Sequence, residues 1–323
     1  MLFGEGGDDL LRGGAGTDSF DGGEGFDRVS FFTRAATQGA VANLITQTIS
    51  NDGFGNAETM VSIEALGAGT AFADHLTGDN NANLLLAEMG DTIIANGGDD
   101  RFQLGGAPAL LNGGAGIDTI AGFSGSAGSL FPDSDGDGLA EVIAATSGVH
   151  VDLSINMIVN DGFGLSGVII SVENVTGSEF ADMLIGNNVA NTLIGDEGDD
   201  TLNGGGNADR LDGGIGVDTL NGGSGTDTLI GGAGNDFMNG GAQADTFVFT
   251  SGSGHDSISG FDANPAGGQD FLDISAYGIT AVDFAARVVI VDLGPSLQVT
   301  IDAAEMITLL GVSGSGPNVI TQA

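Results

Sequence analysis

GVDTLNGGSGTDTLIGGAGND, residues 216–236, carries aspartate at 218, 227 and 236, with Leu220, Leu229 and Met238 two residues after each acid. Read outward in nines from residue 195, the chain gives GDEGDDTLN, GGGNADRLD, GGIGVDTLN, GGSGTDTLI, GGAGNDFMN and GGAQADTFV. The sixth position is Asp200, Asp209, Asp218, Asp227, Asp236 and Asp245; the eighth is Leu202, Leu211, Leu220, Leu229, Met238 and Phe247. The register extends back to Asn191 with Leu193 and to Asp182 with Leu184. Asp and Gly are good turn formers on their own account. An acid and an apolar residue held in one register over so many units points instead to a built lattice.

Two further blocks share the pattern. Asp9, Asp18 and Asp27 are followed at plus two by Leu11, Phe20 and Val29. In the middle, Asp74, Asn83, Asp91, Asp100 and Asp118 are followed by Leu76, Leu85, Ile93, Phe102 and Ile120, with one slip of register and Ala109 in place of an acid. A longer repeat of about 108 residues overlies these nines. NDGFG at 51–55 recurs at 160–164, and VSIEALGAGTAFADHLTGDNNAN from Val61 matches ISVENVTGSEFADMLIGNNVAN from Ile170. The alternation in these units reads as less regular coils of the same solenoid. After residue 250 the nines stop; alternation at Leu297, Val299, Ile301, Ile307 and Leu309, with DLGPS at 292–296, predicts a hairpin or small sheet.

Composition narrows the function classes. The 323 residues include 60 glycines, 44 acids and 6 basic residues, all arginine, for a formal charge of -38. Such a chain lacks the basic face that nucleic acids and anionic membranes require. Apolar residues make up 41%, too many for an acidic disordered chain. Cysteine is absent, so no disulfide or thiolate site contributes. No apolar run reaches the 18 residues of a membrane span. The start, Met1-Leu2-Phe3-Gly4-Glu5, lacks the basic and apolar regions of a signal peptide and enters a repeat at once, so a late portion of a longer protein is expected.

Spacing then leads to chemistry. In each nonapeptide three residues, such as Thr219-Leu220-Asn221, form a short strand with the middle side chain inward. The glycine-rich remainder turns the chain back, with positive φ available where needed. Two nonapeptides make a coil of 18 residues. Asp200, Asp218 and Asp236 then stack along one edge, and Asp209, Asp227 and Asp245 along the other. Carboxylates at the strand spacing of roughly 5 Å repel unless a cation lies between them. The ligands on offer are carboxylate and carbonyl oxygens, which suit Ca²⁺ better than Mg²⁺. Zinc would want His or Cys, and the chain has three scattered histidines.

The pattern GGxGxDxUx over residues 4–30, 69–120 and 182–248 resembles the calcium-binding nonapeptide of RTX (repeats-in-toxin) proteins. DTFVFTSGSGHDSISGFDANPAGGQDFLDIS, from Asp245, is similar to the entry of the C-terminal domain of serralysin-type exported proteases. The resemblance implies an all-β fold, a right-handed parallel β-roll or β-helix solenoid with a small C-terminal β cap. It implies multiple Ca²⁺ ions between turns, secretion, and type I secretion machinery as a partner. The expected division is residues 1–30 for N-terminal turns, 31–120 for the first long repeat, 121–148 for an acidic insertion, 149–250 for the second long repeat and regular roll, and 251–323 for the cap and secretion region. Within the insertion, Asp133, Asp135 and Asp137 with Glu141 form a second candidate calcium loop. Its twelfth position is Ala144, which departs from an EF-hand.

No HExxH, GxSxG or P-loop motif is present. His75 falls on an outward strand position, His150 before an alternating strand and His255 in a turn, none with an evident Ser or Cys partner. Outward Thr201, Thr219 and Thr228 are interrupted by Arg210 and Phe237, which argues against an ice-binding ladder. The expectation is therefore a non-catalytic calcium-binding region of an exported protein, unfolded at low calcium and folding outside the cell, with an upstream catalytic domain or an extracellular polysaccharide as further partners. A polysaccharide-active lyase or epimerase and a calcium-dependent adhesin stand as alternatives.

Overall fold

Inward apolar residues recur in both halves of the chain, and each half builds a core by stacking them. The computed structural model describes residues 1–33, 35–123, 147–262, 268–280, 283–302 and 304–312. Two compact units result, Met1–Thr176 and Gly177–Ala323. Both are parallel β-rolls with two facing sheets, and the strands of the regular coils alternate between them.

In the second unit one sheet runs through Met183–Ile185, Thr201–Gly206, Thr219–Ser224, Phe237–Ala242 and His255–Ser259, every pair parallel. The opposite sheet runs through Thr192–Glu197, Arg210–Ile215, Thr228–Ala233, Thr246–Val248 and Phe271–Asp273. Leu184, Leu202, Leu220, Met238 and Ile258 stack in one buried row, and Leu193, Leu211, Leu229 and Phe247 in the other. Each such side chain contributes about 1.5–3 kcal/mol by leaving water. The strands are longer than the three residues expected. Thr219–Ser224 has six, because the glycine pair stays hydrogen-bonded, with Gly223 in register with Gly205 and Gly241. The glycines that were expected only to turn also prolong the sheet.

The roll also continues past residue 250. His255–Ser259 and Phe271–Asp273 add a further strand to each sheet, hidden from a count of nines by the loops that precede them. An antiparallel meander follows, Val288–Asp292, Ser296–Ile301 and Glu305–Leu310, with the DLGPS turn joining the first two. Its last strand lies parallel to His255–Ser259, in register from His255 with Met306 to Ser259 with Leu310. Leu297, Val299, Ile301, Ile307 and Leu309 form its buried side.

In the first unit Val29, Leu66, Leu85, Phe102, Ile120 and Val175 stack in one buried row across parallel strands. Leu76, Ile93, Leu111 and Ile169 stack in the facing sheet. The long repeats differ from the expected extra coils. Val41–Asn43 turns back on Thr48–Asn51, which pairs antiparallel with Glu58–Val61. His150–Asp152, Met157–Asn160 and Gly167–Ile170 do the same in the second copy. The reversal rests on a positive φ at Gln47 (55°) and Asn156 (61°), equivalent positions of the two copies. Each long repeat is thus a coil interrupted by a hairpin, whose alternation of side chains resembles that of a coil strand.

Candidate metal sites

At the edges of both rolls the acids form ladders. The backbone N–H of Asp182 donates to Oδ1 of Asp200 (2.7 Å), Asp200 to Asp218 (2.8 Å), Asp218 to Asp236 (2.9 Å) and Asp236 to Asp256 (2.9 Å). On the other edge Asn191 donates to Asp209, Asp209 to Asp227, Asp227 to Asp245 and Asp245 to Asp270, at 2.8–2.9 Å. The two rows are those the spacing predicts. In the first unit Asp9 donates to Asp27 and Asp27 to Glu64, while Asn83 donates to Asp100, Asp100 to Asp118 and Asp118 to Glu173.

One oxygen of each carboxylate is therefore occupied by the neighbouring coil. The other, Oδ2, is buried without a hydrogen-bond partner in Asp9, Asp27, Asp100, Asp118, Asp200, Asp209, Asp218, Asp227, Asp236, Asp245 and Asp256. A buried anionic oxygen with no donor is costly, and repetition along the edges makes it a property of the fold. Burial, with like charge close by, pushes Asp200, Asp209, Asp100 and Asp256 up to about 7. Asp118, Asp218 and Asp245 rise to about 6 for the same reasons.

Glycine completes the cradle. A Cβ on Gly213 would run into Asp218 Oδ2 and lie 2.5 Å from the Gly231 carbonyl oxygen, so only glycine leaves this space to oxygens. Gly225, at φ 145°, likewise brings the turn against the Asn207 carbonyl. Among the described residues no three acidic or histidine side chains converge as a metal cluster. A cation between coils would draw on carbonyl oxygens together with the orphaned Oδ2 atoms, a donor set of hard oxygens that fits Ca²⁺.

A comparison with protein families matches residues 1–29, 110–126, 176–220 and 212–247 to the RTX calcium-binding nonapeptide repeat (4 copies). This chain carries RTX repeats. These repeats bind calcium, and they coincide with the stretches where orphaned oxygens are densest. Among solved structures, the extracellular lipase LipA from Serratia marcescens is similar at 16% identity and a TM-score of 0.27, over 78% of this chain. The chain spans 40% of that lipase's length. A hyperactive, Ca²⁺-dependent, beta-helical antifreeze protein from an Antarctic bacterium is similar at 16% identity and a TM-score of 0.25, over 79% of this chain and 83% of the other. No curated protein matches.

Not every acid of the RTX pattern is orphaned. Asp74 accepts the N–H groups of Ala40, Gly69 and Thr70 and the Thr70 hydroxyl, and Asp182 accepts the Ser178 N–H and hydroxyl. Asp91 accepts the N–H of Asp74 and of Glu88, and Asn191 accepts that of Asn187. Asp18 is half-buried, with its N–H on Glu58. Asp133, Asp135, Asp137 and Glu141 lie outside the described residues. His75 is exposed, His150 half-buried at the head of a strand, and His255, expected in a turn, opens the strand His255–Ser259.

Glu64, Glu173, Glu58, Asp256 and Asp270 belong to the ladders, and counting in nines misses them. Each nonetheless has an apolar residue two positions on: Leu66, Val175, Met60, Ile258 and Leu272. The acid followed at plus two by an apolar residue is the signal that survives changes of loop length. Among the described residues no helix is long and apolar enough to cross a membrane.

Proposed function

We propose that this chain is the calcium-binding, non-catalytic region of an exported protein, kept unfolded at low calcium and folded by calcium outside the cell. The observation that carries this reading is the row of buried, unpartnered Oδ2 atoms on each edge. Asp9, Asp27, Asp100, Asp118, Asp200, Asp209, Asp218, Asp227, Asp236, Asp245 and Asp256 are the acids we assign to calcium. Asp74, Asp91, Asp182 and Asn191, whose side-chain oxygens already accept donors, hold turns together instead. Without a cation, each coil added would align more unscreened charge in a half-dry edge, which favours the extended chain. Calcium binding then becomes folding free energy, and extracellular modules of this kind bind at about 10⁻⁴–10⁻³ M.

The type I secretion machinery fits a chain that stays unfolded until it meets external calcium, and the strongly acidic composition favours that delay. Circular dichroism during a calcium titration tests the reading. Strand signal should appear with calcium and disappear with chelator; a strand signal indifferent to chelator would sink it.

A further inference from the structure

Two turns of the first unit leave the nonapeptide pattern at the same place in the two long repeats. Ser62-Ile63-Glu64 carries the chain from Glu58–Val61 to Ala65–Gly67, and Ser171-Val172-Glu173 carries it from Gly167–Ile170 to Asn174–Thr176. Each has three residues where a regular coil has the six of GGxGxD, as from Gly222 to Asp227. Ser62 and Ser171 take φ of 51° and 50°, a left-handed conformation that serine adopts only at a cost. Ile63 and Val172 are buried and hold the middle of each turn to the core.

Each short turn meets an orphaned carboxylate oxygen of the coil before it. In the regular roll, the space that a Cβ on Gly222 would take is shared by Asp227 Oδ2 and the Gly240 carbonyl of the next coil. At Gly22 the same space holds Asp27 Oδ2 and the Ser62 carbonyl, and at Gly113 it holds Asp118 Oδ2 and the Ser171 carbonyl. Asp27 and Asp118 are fully buried, and neither Oδ2 has a partner. A second carboxylate stands beside each. The N–H of Asp27 donates to Glu64 Oε2 and that of Asp118 to Glu173 Oε2, both at 2.9 Å. Each glutamate gives one oxygen to that amide, and a carboxylate has two. Two such anions side by side, one of them out of water, repel unless a cation joins them.

We infer that these turns complete two calcium sites whose ligands lie partly outside the nonapeptide. One takes Asp27 Oδ2, the Ser62 carbonyl and the Glu64 carboxylate; the other takes Asp118 Oδ2, the Ser171 carbonyl and the Glu173 carboxylate. The left-handed serine brings a carbonyl beside the orphaned oxygen, as glycine does in a six-residue turn, and the longer arm of glutamate makes up for the shorter turn. Two carboxylates and a carbonyl are the hard oxygens that calcium takes, with water in the remaining positions. Calcium there ties each long repeat to the nonapeptide coil before it. Glu58 marks the contrast. It also accepts an N–H, from Asp18 at 3.0 Å. Asp18 is only half-buried, however, and its Oδ2 meets the Phe20 ring at Gly13, with no carbonyl among the nearest atoms. The assignment rests on calcium being the ion of the roll, and adds Ser62, Glu64, Ser171 and Glu173 to its ligands.

The test counts the calcium ions bound to the full chain by equilibrium dialysis and native mass spectrometry, at calcium just sufficient to saturate the unmodified protein. Circular dichroism of each variant reports the fold separately. Glu64→Gln and Glu173→Gln keep an acceptor for the Asp27 and Asp118 amides and remove only the charge. Each should fold and bind one calcium fewer, and the two together two fewer. Glu58→Gln should lose none. Ser62→Gly should also lose none, because the carbonyl and not the hydroxyl binds. Should one glutamate variant fail to fold, the other gives the count at the equivalent site. A folded Glu64→Gln or Glu173→Gln that keeps every ion overturns these sites, as does an equal loss in Glu58→Gln. An unmodified chain that folds without binding calcium would instead overturn the calcium reading on which they rest.

Discussion

Asp218 and Asp74 occupy the same position of their repeats, yet they have different surroundings. Asp218 gives one oxygen to the Asp200 N–H and keeps Oδ2 without a partner. Asp74 has both oxygens taken by amides and the Thr70 hydroxyl. Asp218→Asn should therefore cost about 1.5–3 kcal/mol of calcium-loaded stability, as expected for the loss of a charged contact. A calcium titration followed by circular dichroism would read this as a higher midpoint. Asp256→Asn should behave like Asp218→Asn although it lies outside the regular nines. Thr70→Val should instead lower stability by about 1–3 kcal/mol at saturating calcium, with the calcium midpoint little changed. A large midpoint shift for Thr70→Val, or none for Asp256→Asn, would contradict these assignments.

At the scale of the element, the inward row does for the strand what the ladder does for the turn. Leu220 lies between Leu202 and Met238 with almost no exposure. Leu220→Ala should cost about 2–5 kcal/mol, measurable by urea unfolding in saturating calcium. The terminal meander attaches differently. Both Glu305 oxygens accept N–H groups, from Gly252 and Gly254, at 2.8 Å. Glu305→Gln retains one acceptor, so it should speed hydrogen exchange at these two amides while Leu220 stays protected. Uniform exchange across the unit would show that the meander and the roll open together.

For the whole molecule, charge decides the conditions of folding. In the calcium-free fold, burial raises ladder acids from the ordinary aspartate value to about 6 or 7. The folded state thus holds more protons than the unfolded one between pH 4 and 7, and its stability falls as pH rises through that window. Calcium-free chain should show more strand signal at pH 5 than at pH 8. Calcium and protons compete for the same oxygens, so the calcium midpoint should be higher at pH 5 and protons should be released on binding at pH 6.5. A midpoint independent of pH would argue that the ladder acids are not the ligands.

Much of this was legible in the residues. The acid at position six and the apolar side chain at position eight specify an edge and an interior row, because strand alternation and turn length are local properties of the chain. Even the ladder members missed by counting in nines, such as Glu64 and Asp270, keep their apolar partner at plus two. Local pattern could not separate a coil strand from a hairpin strand: Val41–Asn43 and Thr48–Asn51 alternate as coil strands do, and only their pairing shows the reversal. Nor could it show that Asp74 is satisfied and Asp218 is not, since the donors come from residues placed by the fold. The sequence alone determined that this chain is a calcium-binding β-roll, through a period written into every unit. The tertiary structure alone decided which carboxylate oxygens lack partners, because that depends on neighbours distant in the chain.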